Sequence, residues 1–190
     1  MSTRIRRAPA DLRAAAIAEA RRLLIERGPD GITLQAVAAG VGTAHGNLTH
    51  HFGAVANLHA ALAETMAREL TAAVAAALPG ARANQDPAAV VDMVFDACAQ
   101  RGGARLVAWL ASTGRTDLLQ PVFAAISEFL DRIADDHPWG RDAAARAVAA
   151  VFLPALAAAL VGDQLAGALG LAPKTWRDLA AAHLETLRTP

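Results

Sequence analysis

The residues best suited to chemistry with another molecule lie in one short stretch of the sequence. His45, Asn47 and Thr49 can all donate and accept hydrogen bonds, and Gly46 between them has no side chain. Asparagine can pair with base edges, threonine offers a hydroxyl and a methyl group, and histidine can donate to phosphate or to the acceptors of guanine. A glycine allows the backbone itself to approach a ligand closely. These residue types in this order favour recognition of double-stranded DNA through the major groove.

Three predicted helices position these side chains. Apolar residues at helical spacing predict a first helix over residues 12–27, which a Gly-Pro pair ends. Thr33 can cap a second helix over residues 34–39, and two glycines separate that helix from a third over residues 44–50. Two short helices joined by a glycine-containing turn, behind a supporting first helix, predict a helix-turn-helix.

The third helix is too short to be stable by itself, so its inward side chains must be anchored on the first two helices. Leu48 and Phe52 are the apolar residues placed to do this. The other side chains then face outward, and Thr33 and Gln35 at the start of the second helix are placed for phosphate contact. The predicted DNA contact set is Thr33, Gln35, Thr43, His45, Gly46, Asn47, Thr49, His50 and His51.

Two segments of the sequence together resemble the N-terminal domain of TetR-family regulators. They are Thr33-Leu34-Gln35-Ala36-Val37-Ala38 and His45-Gly46-Asn47-Leu48-Thr49-His50-His51-Phe52. The resemblance runs without a gap over roughly residues 12–58. It implies a dimeric repressor that binds an operator in double-stranded DNA. It also implies a second, helical domain that binds a small-molecule inducer of unknown identity.

The resemblance extends these expectations to a basic arm ahead of the first helix, which often reaches the minor groove in the family. Arg4, Arg6 and Arg7 would form that arm here, and the alternative is a solvated tail. At the position of His51 the family contacts phosphate. The alternative for His51 is an imidazole bonded to a carbonyl at the end of the helix.

Three positions depart from the family pattern. Ala44, Thr49 and Val55 stand where the family usually has a serine, a tyrosine and a lysine-bearing turn. Each replacement removes a cap or a phosphate contact, although Thr43 could cap the third helix instead. We therefore expect weaker DNA binding that depends more on the arginine arm and falls less steeply with salt.

Composition predicts an all-α fold. The chain has 190 residues and is 54% hydrophobic but 4% aromatic, and its many alanines favour helix over strand. The net charge of zero hides an asymmetry, because residues 1–60 hold seven arginines against four acidic residues. A mildly basic head on an acidic body is typical of a DNA-binding domain joined to a partner domain.

The rest of the chain predicts six more helices. Residues 54–78 form one long helix, and a polar segment from Pro79 to Pro87 follows it as a linker. Five more helices are predicted near residues 87–101, 104–113, 117–134, 141–169 and 174–188, with Pro154 bending or interrupting the fourth of these. The prediction is thus an all-α chain of about nine helices, with a DNA-binding domain at 1–53 and a ligand-binding and dimerisation domain at 54–190.

Bulky apolar residues of the second domain are candidates either for plain core packing or for lining the inducer pocket. The candidates for the pocket are Met66, Val91, Phe95, Trp109 and Phe123. The last two long helices carry apolar residues at helical spacing, which could be buried within the chain or form a two-fold interface. We prefer a homodimer through Val148, Val151, Phe152, Leu160, Trp176, Leu179, His183 and Leu187.

Several other classes of protein are disfavoured. The single Cys98 forms no intrachain disulfide and suits a cytoplasmic protein, with a core role preferred over a redox sensor. No apolar leader and no unbroken apolar run of 18 residues is found, so neither secretion nor membrane spanning is expected. No enzyme motif, zinc spacing or cofactor motif is found. A helical module that binds a ligand or a protein without DNA remains the alternative.

Overall fold

The computed structural model of the chain describes residues 9–83, 87–100, 102–134 and 140–187. Every regular element in these ranges is helical, which confirms the all-α prediction, and none is a strand. The α-helical segments in chain order are α1 (Pro9–Arg27), α2 (Leu34–Val41), α3 (His45–Phe52), α4 (Val55–Ala83), α5 (Ala88–Gln100), α6 (Gly103–Ser112), α7 (Gln120–Ala134), α8 (Gly140–Ala157), α9 (Asp163–Leu169) and α10 (Thr175–Thr186). A π-helix, Ala158–Gly162, makes α8 and α9 one continuous helix, so the described ranges contain nine separate helices.

The chain divides into two compact units, residues 1–62 and 63–190. The first unit includes the start of α4, where Leu58 and His59 are buried. The second unit contains the remainder of α4 and all later helices. The predicted domain boundary between residues 53 and 54 stays a prediction.

The first unit is held together by one apolar face on each of its helices. On α1 this face contains Ala16, Ala20 and Leu24, which recur every four residues and are fully buried. Val37 of α2 and Leu48 of α3 are buried with them. Burial of each large aliphatic side chain stabilises the unit by about 1.5–3 kcal/mol, which compensates for the low intrinsic stability of two eight-residue helices.

The turn between α2 and α3 depends on a cap at each end of α2. Thr33 is the N-cap, and its hydroxyl accepts a hydrogen bond from the Ala36 amide at 3.0 Å. Gly42 is the C-cap in the left-handed region at φ 73°, and its amide donates to the carbonyls of Ala38 and Ala39. A glycine meets this backbone requirement without strain, as the predicted helix break required.

The core of the second unit is built from α5, α7, α8 and α10. Val91 and Phe95 of α5 pack with Phe129 of α7, Val151 of α8 and Ala180 of α10. Cys98 belongs to the same cluster, and burial raises the pKa of its thiol to about 11. The prediction of a core role for Cys98 is confirmed, because a buried, protonated thiol is a weak nucleophile.

Two prolines lie inside helices, and one of them departs from the prediction. Pro79 lies inside α4, which continues to Ala83, so the predicted linker from residue 79 is wrong in its first part. Pro154 lies inside α8, and the helix departs from α-geometry four residues later, at Ala158. Proline therefore does not end either helix here, although it removes one backbone donor from each.

The continuous helix Gly140–Leu169 has an apolar exposed face. It is long and apolar enough to cross a membrane by length and composition, and 17% of its most apolar 18-residue window is buried. The search for an unbroken apolar run missed this helix because a few charged residues interrupt it. Its exposed large side chains are Leu153, Leu160, Val161, Leu165 and Leu169.

Candidate nucleic-acid interface

Helix α3 has one buried side and one polar, exposed side. Leu48 and Phe52 are 0% and 4% exposed, as the sequence predicted for the anchoring residues. The side chains of His45, Asn47 and Thr49 are exposed. A Cβ added at Gly46 would meet no atom within 4 Å. The outer side of α3 is therefore open to a ligand along its N-terminal half.

The polar side chains at the start of α3 are already ordered by local hydrogen bonds. The Asn47 amide Nδ2 donates to Thr43 Oγ1 at 3.0 Å, and Thr49 Oγ1 donates to the His45 carbonyl at 3.2 Å. The bond to Thr43 fixes the direction of the Asn47 side chain. The Oδ1 atom of Asn47 takes no part in this bond. An ordered amide loses less side-chain entropy when it meets a base edge.

The expected cap on α3 is absent. Ala44 is the N-cap residue, and no side chain accepts a hydrogen bond from the first turn. Thr43 does not replace the missing serine as a cap, because its hydroxyl accepts from Asn47 instead. In the first turn of α3 the Asn47 amide donates to the Ala44 carbonyl at 3.0 Å, and no side chain caps the positive end of the helix dipole, which favours a phosphate there.

The start of α2 is a second group of polar residues in the candidate interface. Gln35, its second residue, is exposed, and Thr33 caps the helix through its hydroxyl oxygen. The hydroxyl proton of Thr33 can still be donated to a phosphate oxygen while the oxygen caps the helix. The two short helices therefore both present their N-terminal ends with polar side chains.

The far end of α3 is fixed from two sides. Asn57 Nδ2 donates to the carbonyl of Phe52 at 2.7 Å, and the guanidinium carbon of Arg13 lies 5.0 Å from the centre of the Phe52 ring. The rings of His50 and His51 pack edge to face at 5.9 Å between centroids. His50 is exposed and His51 is half-buried. Both imidazoles are thus held at the end of α3.

The match to a family model decides the identity of this unit. Residues 16–62 match the model of bacterial regulatory proteins, tetR family, and this range contains α2, α3 and the start of α4. The first unit therefore carries the DNA-binding domain of the tetR family. This match supports a DNA-binding transcriptional regulator whose helix-turn-helix lies in the first unit.

Solved structures agree on the fold of the chain. A transcriptional regulator from Rhodococcus sp. Rha1 is 20% identical with a TM-score of 0.58, and the alignment covers 95% of this chain and 96% of that one. A structure described as a TetR-family transcriptional regulator from Mesorhizobium loti is 13% identical with a TM-score of 0.63, covering 98% and 97%. No curated protein matches the sequence significantly. At these identities the likeness concerns the fold alone.

The predicted DNA contact set is only partly within the described residues. Arg4, Arg6 and Arg7 lie outside them, so the arm stays a prediction. Thr33, Gln35 and the residues of α3 lie at the exposed ends of two adjacent helices, α2 and α3. Among the described residues no group of three histidine, cysteine or acidic side chains could hold a metal.

Sequence reasoning missed His59 as a structural residue. This histidine of α4 is 2% exposed, and its Nε2 lies 3.2 Å from the carbonyl of Pro29. Burial lowers its pKa, while the bond to Pro29 and the charge of Asp30 oppose that shift in part. The neutral imidazole therefore ties α4 to the turn after α1. Its spacing of three residues from Leu62 in an apolar stretch was the available signal.

The predicted ligand residues do not surround the large cavity of the second unit. Val91 and Phe95 are buried in the core, and Phe123 is 48% exposed. Met66 lines a small cavity of about 50 Å³ beside Cys98. Neither these residues nor Trp109 are among those that line the larger cavity of about 560 Å³.

The predicted dimer residues fall into two groups. Leu160, Leu179 and His183 are exposed, whereas Val151 is buried within its own chain. The remaining residues turn at least partly inward. Val148, Phe152 and Leu187 line the large cavity, and the Trp176 indole donates to the carbonyl of Gly162 at 2.9 Å.

Proposed function

We propose that this chain is a TetR-family repressor that binds an operator as a homodimer in the cytoplasm and is released by a small molecule. The observation that carries the DNA-binding part is the polar outer side of α3, anchored by Leu48 and Phe52 within the domain that matches the family. The polar groups there can satisfy both base edges and phosphates. A ligand-binding module without DNA would have no use for such a surface.

In this proposal α3 enters the major groove. Gly46 lets the helix approach the DNA, and Asn47 reads a base through its free Oδ1 and remaining N–H. Phosphates are bound by Thr33 and by the uncapped amides at the start of α3. The arm of Arg4, Arg6 and Arg7 adds sequence-independent affinity.

Dimerisation is needed because one eight-residue helix reads too little DNA for specificity. Two reading helices about 34 Å apart would reach successive major grooves on one face of the duplex. The exposed apolar side chains Leu160 and Leu179 support an interface between copies, since a large exposed apolar area marks an interaction site. Of the predicted set, Leu160, Leu179 and His183 remain the proposed surface contacts.

Release by a ligand requires two dimer geometries, of which the ligand favours the one that does not fit the operator. The large cavity of the second unit supports this part of the proposal. Helix α4 contributes both to that unit and to the one that carries α3. In this proposal the dimer couples ligand binding in the cavity to operator binding.

The direct test is binding of the purified chain to DNA from upstream of its own gene, measured by mobility shift with excess competitor DNA. We expect a specific complex, and an at least tenfold loss of affinity in Asn47→Ala, because Asn47 would contact a base. Gln120→Ala is the matched control, since Gln120 is exposed on α7 outside the candidate interface. Equal binding by wild type and Asn47→Ala would overturn the assignment of α3.

A further inference from the structure

The second unit contains a cavity of about 560 Å³ between α4, α5, α7, α8 and α10. That volume lies within the range usual for sites that bind small molecules. Its lining residues are Leu70, Thr71, Val74, Leu78, Ala81, Pro87, Val90, Val94, Ile126, Phe129, Ile133, Ala143, Ala144, Ala147, Val148, Val151, Phe152, Leu184 and Leu187. All but one of these side chains are apolar.

The cavity exists because one face of α8 carries very small side chains. Ala143, Ala144 and Ala147 lie on its lining, where larger residues would fill the space. Val148 and Val151 of α8 also line the cavity. Close packing is the rule in protein interiors, and small side chains leave the space that larger ones would fill.

No ionisable side chain is found among the described residues that line the cavity. Arg68, three residues before Thr71 on α4, does not line it. The guanidinium of Arg68 is bound to Glu64 at 3.0 Å and to Glu128 at 2.6 Å. A charged ligand would therefore lose its hydration without gaining a partner of opposite charge.

Thr71 provides the polar group. Its side chain is 8% exposed, and its hydroxyl donates to the carbonyl of Arg68 at 3.1 Å. Because the proton is used in this bond, the oxygen is left as an acceptor. The cavity therefore offers one side-chain acceptor to a hydroxyl or an amide N–H of a ligand, surrounded by hydrocarbon.

We propose that this cavity binds an uncharged, mainly apolar small molecule with one hydrogen-bond donor, which is directed to Thr71 Oγ1. The inference rests on the proposed function for the role of that ligand as an inducer, but the binding itself is independent of DNA. It assigns the class of inducer by charge and polarity. The described lining offers no partner of opposite charge to a carboxylate, a phosphate ester or a quaternary amine.

The test uses two fluorescent probes with one ring skeleton. N-phenyl-1-naphthylamine is neutral, and 8-anilinonaphthalene-1-sulfonate adds a permanent negative charge. We expect the neutral probe to bind the full-length protein with at least tenfold lower Kd. Ala147→Leu, which fills the cavity, should raise the Kd of the neutral probe at least tenfold. Ala76→Leu, at an exposed position of α4, is the matched control and should change it less than twofold.

A second measurement tests the role of Thr71. Decan-1-ol should displace the neutral probe at lower concentration than decanoate does, because the alcohol brings a donor without a charge. Thr71→Val should weaken displacement of the neutral probe by decan-1-ol at least threefold and leave displacement by the methyl ether of decan-1-ol, which has no hydrogen-bond donor, within twofold. Thermal unfolding of both variants verifies that each folds, and Ala147→Leu should unfold at the wild-type temperature or above.

Besides a failure of the neutral probe to bind, two results would overturn the inference. One is binding of the sulfonate probe as tightly as the neutral probe in a manner sensitive to Ala147→Leu. The other is binding of the neutral probe that Ala147→Leu does not change. If the probes behave as expected but never release operator DNA, the cavity inference stands and the proposed release by ligand fails. If operator binding is found but the neutral probe does not bind, the cavity inference alone fails.

Discussion

His59 is a single residue whose protonation state matters to the first unit. It is buried, its Nε2 donates to the Pro29 carbonyl, and its pKa is lowered mainly by burial. The folded state therefore binds its proton less readily than the unfolded chain, in which histidine has a pKa near 6.5. Stability from this site is fully present above that value and is lost as the pH falls through the lowered pKa.

The corresponding prediction concerns His59→Leu. The free energy of unfolding of the wild type should fall between pH 7.5 and pH 5.5, whereas that of the variant should fall less, because leucine does not titrate. Urea unfolding at the two pH values measures both. The exposed His45 provides the matched control, His45→Leu, which should retain the wild-type fall. A fall as large in His59→Leu as in the wild type would contradict this role.

At the scale of residues, the sequence predicted correctly the roles that depend on burial. It did not predict a role that depends on the choice of a hydrogen-bond partner. Leu48 and Phe52 were predicted as anchors because a short helix must bury its apolar side chains. The role of Thr43 was predicted wrongly, because a threonine next to an N-cap can bond either to the backbone or to a nearby side chain. Such a choice depends on geometry that spacing in the sequence does not determine.

At the scale of elements, Arg177 fixes α10 against α5. Its guanidinium donates to Asp92 Oδ1 at 2.8 Å and to Asp96 Oδ1 at 2.6 Å, and it lies 5.2 Å from the centre of the Phe95 ring. The two aspartates are one helical turn apart, so a single arginine reaches both. Its side chain is half-buried, which reduces screening by solvent.

We expect Arg177→Met to lower the free energy of unfolding by about 1–2 kcal/mol, because methionine keeps the contact with Phe95 but loses both ion pairs. Lys174→Met is the matched control on the same helix. The Lys174–Asp178 pair is exposed and 3.6 Å long, so its loss should have almost no effect. Urea unfolding of the three proteins decides the matter. Equal stability of Arg177→Met and the wild type would refute the role of this contact.

Element boundaries and the cavity mark the limits of prediction from sequence. The number and order of helices were predicted from apolar periodicity, yet α4 continues through Pro79, where the linker was predicted to begin. The ligand residues were sought among bulky side chains, but such side chains fill space. The cavity instead lies beside alanines of α8, and which alanines lack a neighbour depends on how the helices pack.

At the scale of the whole molecule, the exposed apolar side chains of the last three helical segments need a covering surface. Leu160 and Leu179 are 42% and 56% exposed, and Leu153 and Leu165 are also exposed. We propose that a second copy of the chain covers them. A charge placed there would have to be buried in the interface without a partner, at a cost of several kcal/mol.

Leu179→Glu should therefore convert the protein from dimer to monomer in sedimentation velocity at micromolar concentration, and should weaken operator binding at least tenfold. Ile25→Glu is the matched control, because Ile25 is 53% exposed on α1, which belongs to the first unit. It should leave the dimer intact. A Leu179→Glu variant that sediments as the wild type does would contradict the proposed interface.

The central claim, that the outer side of α3 lies against DNA, is tested most directly by adding one methyl group at Gly46. Gly46→Ala and the control Gly80→Ala both place a Cβ where no protein atom lies within 4 Å, and both glycines are helical. The free energy of unfolding of each variant should equal that of the wild type or exceed it by up to about 1 kcal/mol. In a fluorescence anisotropy titration with operator DNA, we expect Gly46→Ala to bind at least tenfold more weakly and Gly80→Ala to bind as the wild type does. Operator affinity within twofold of the wild type for both variants would contradict the account.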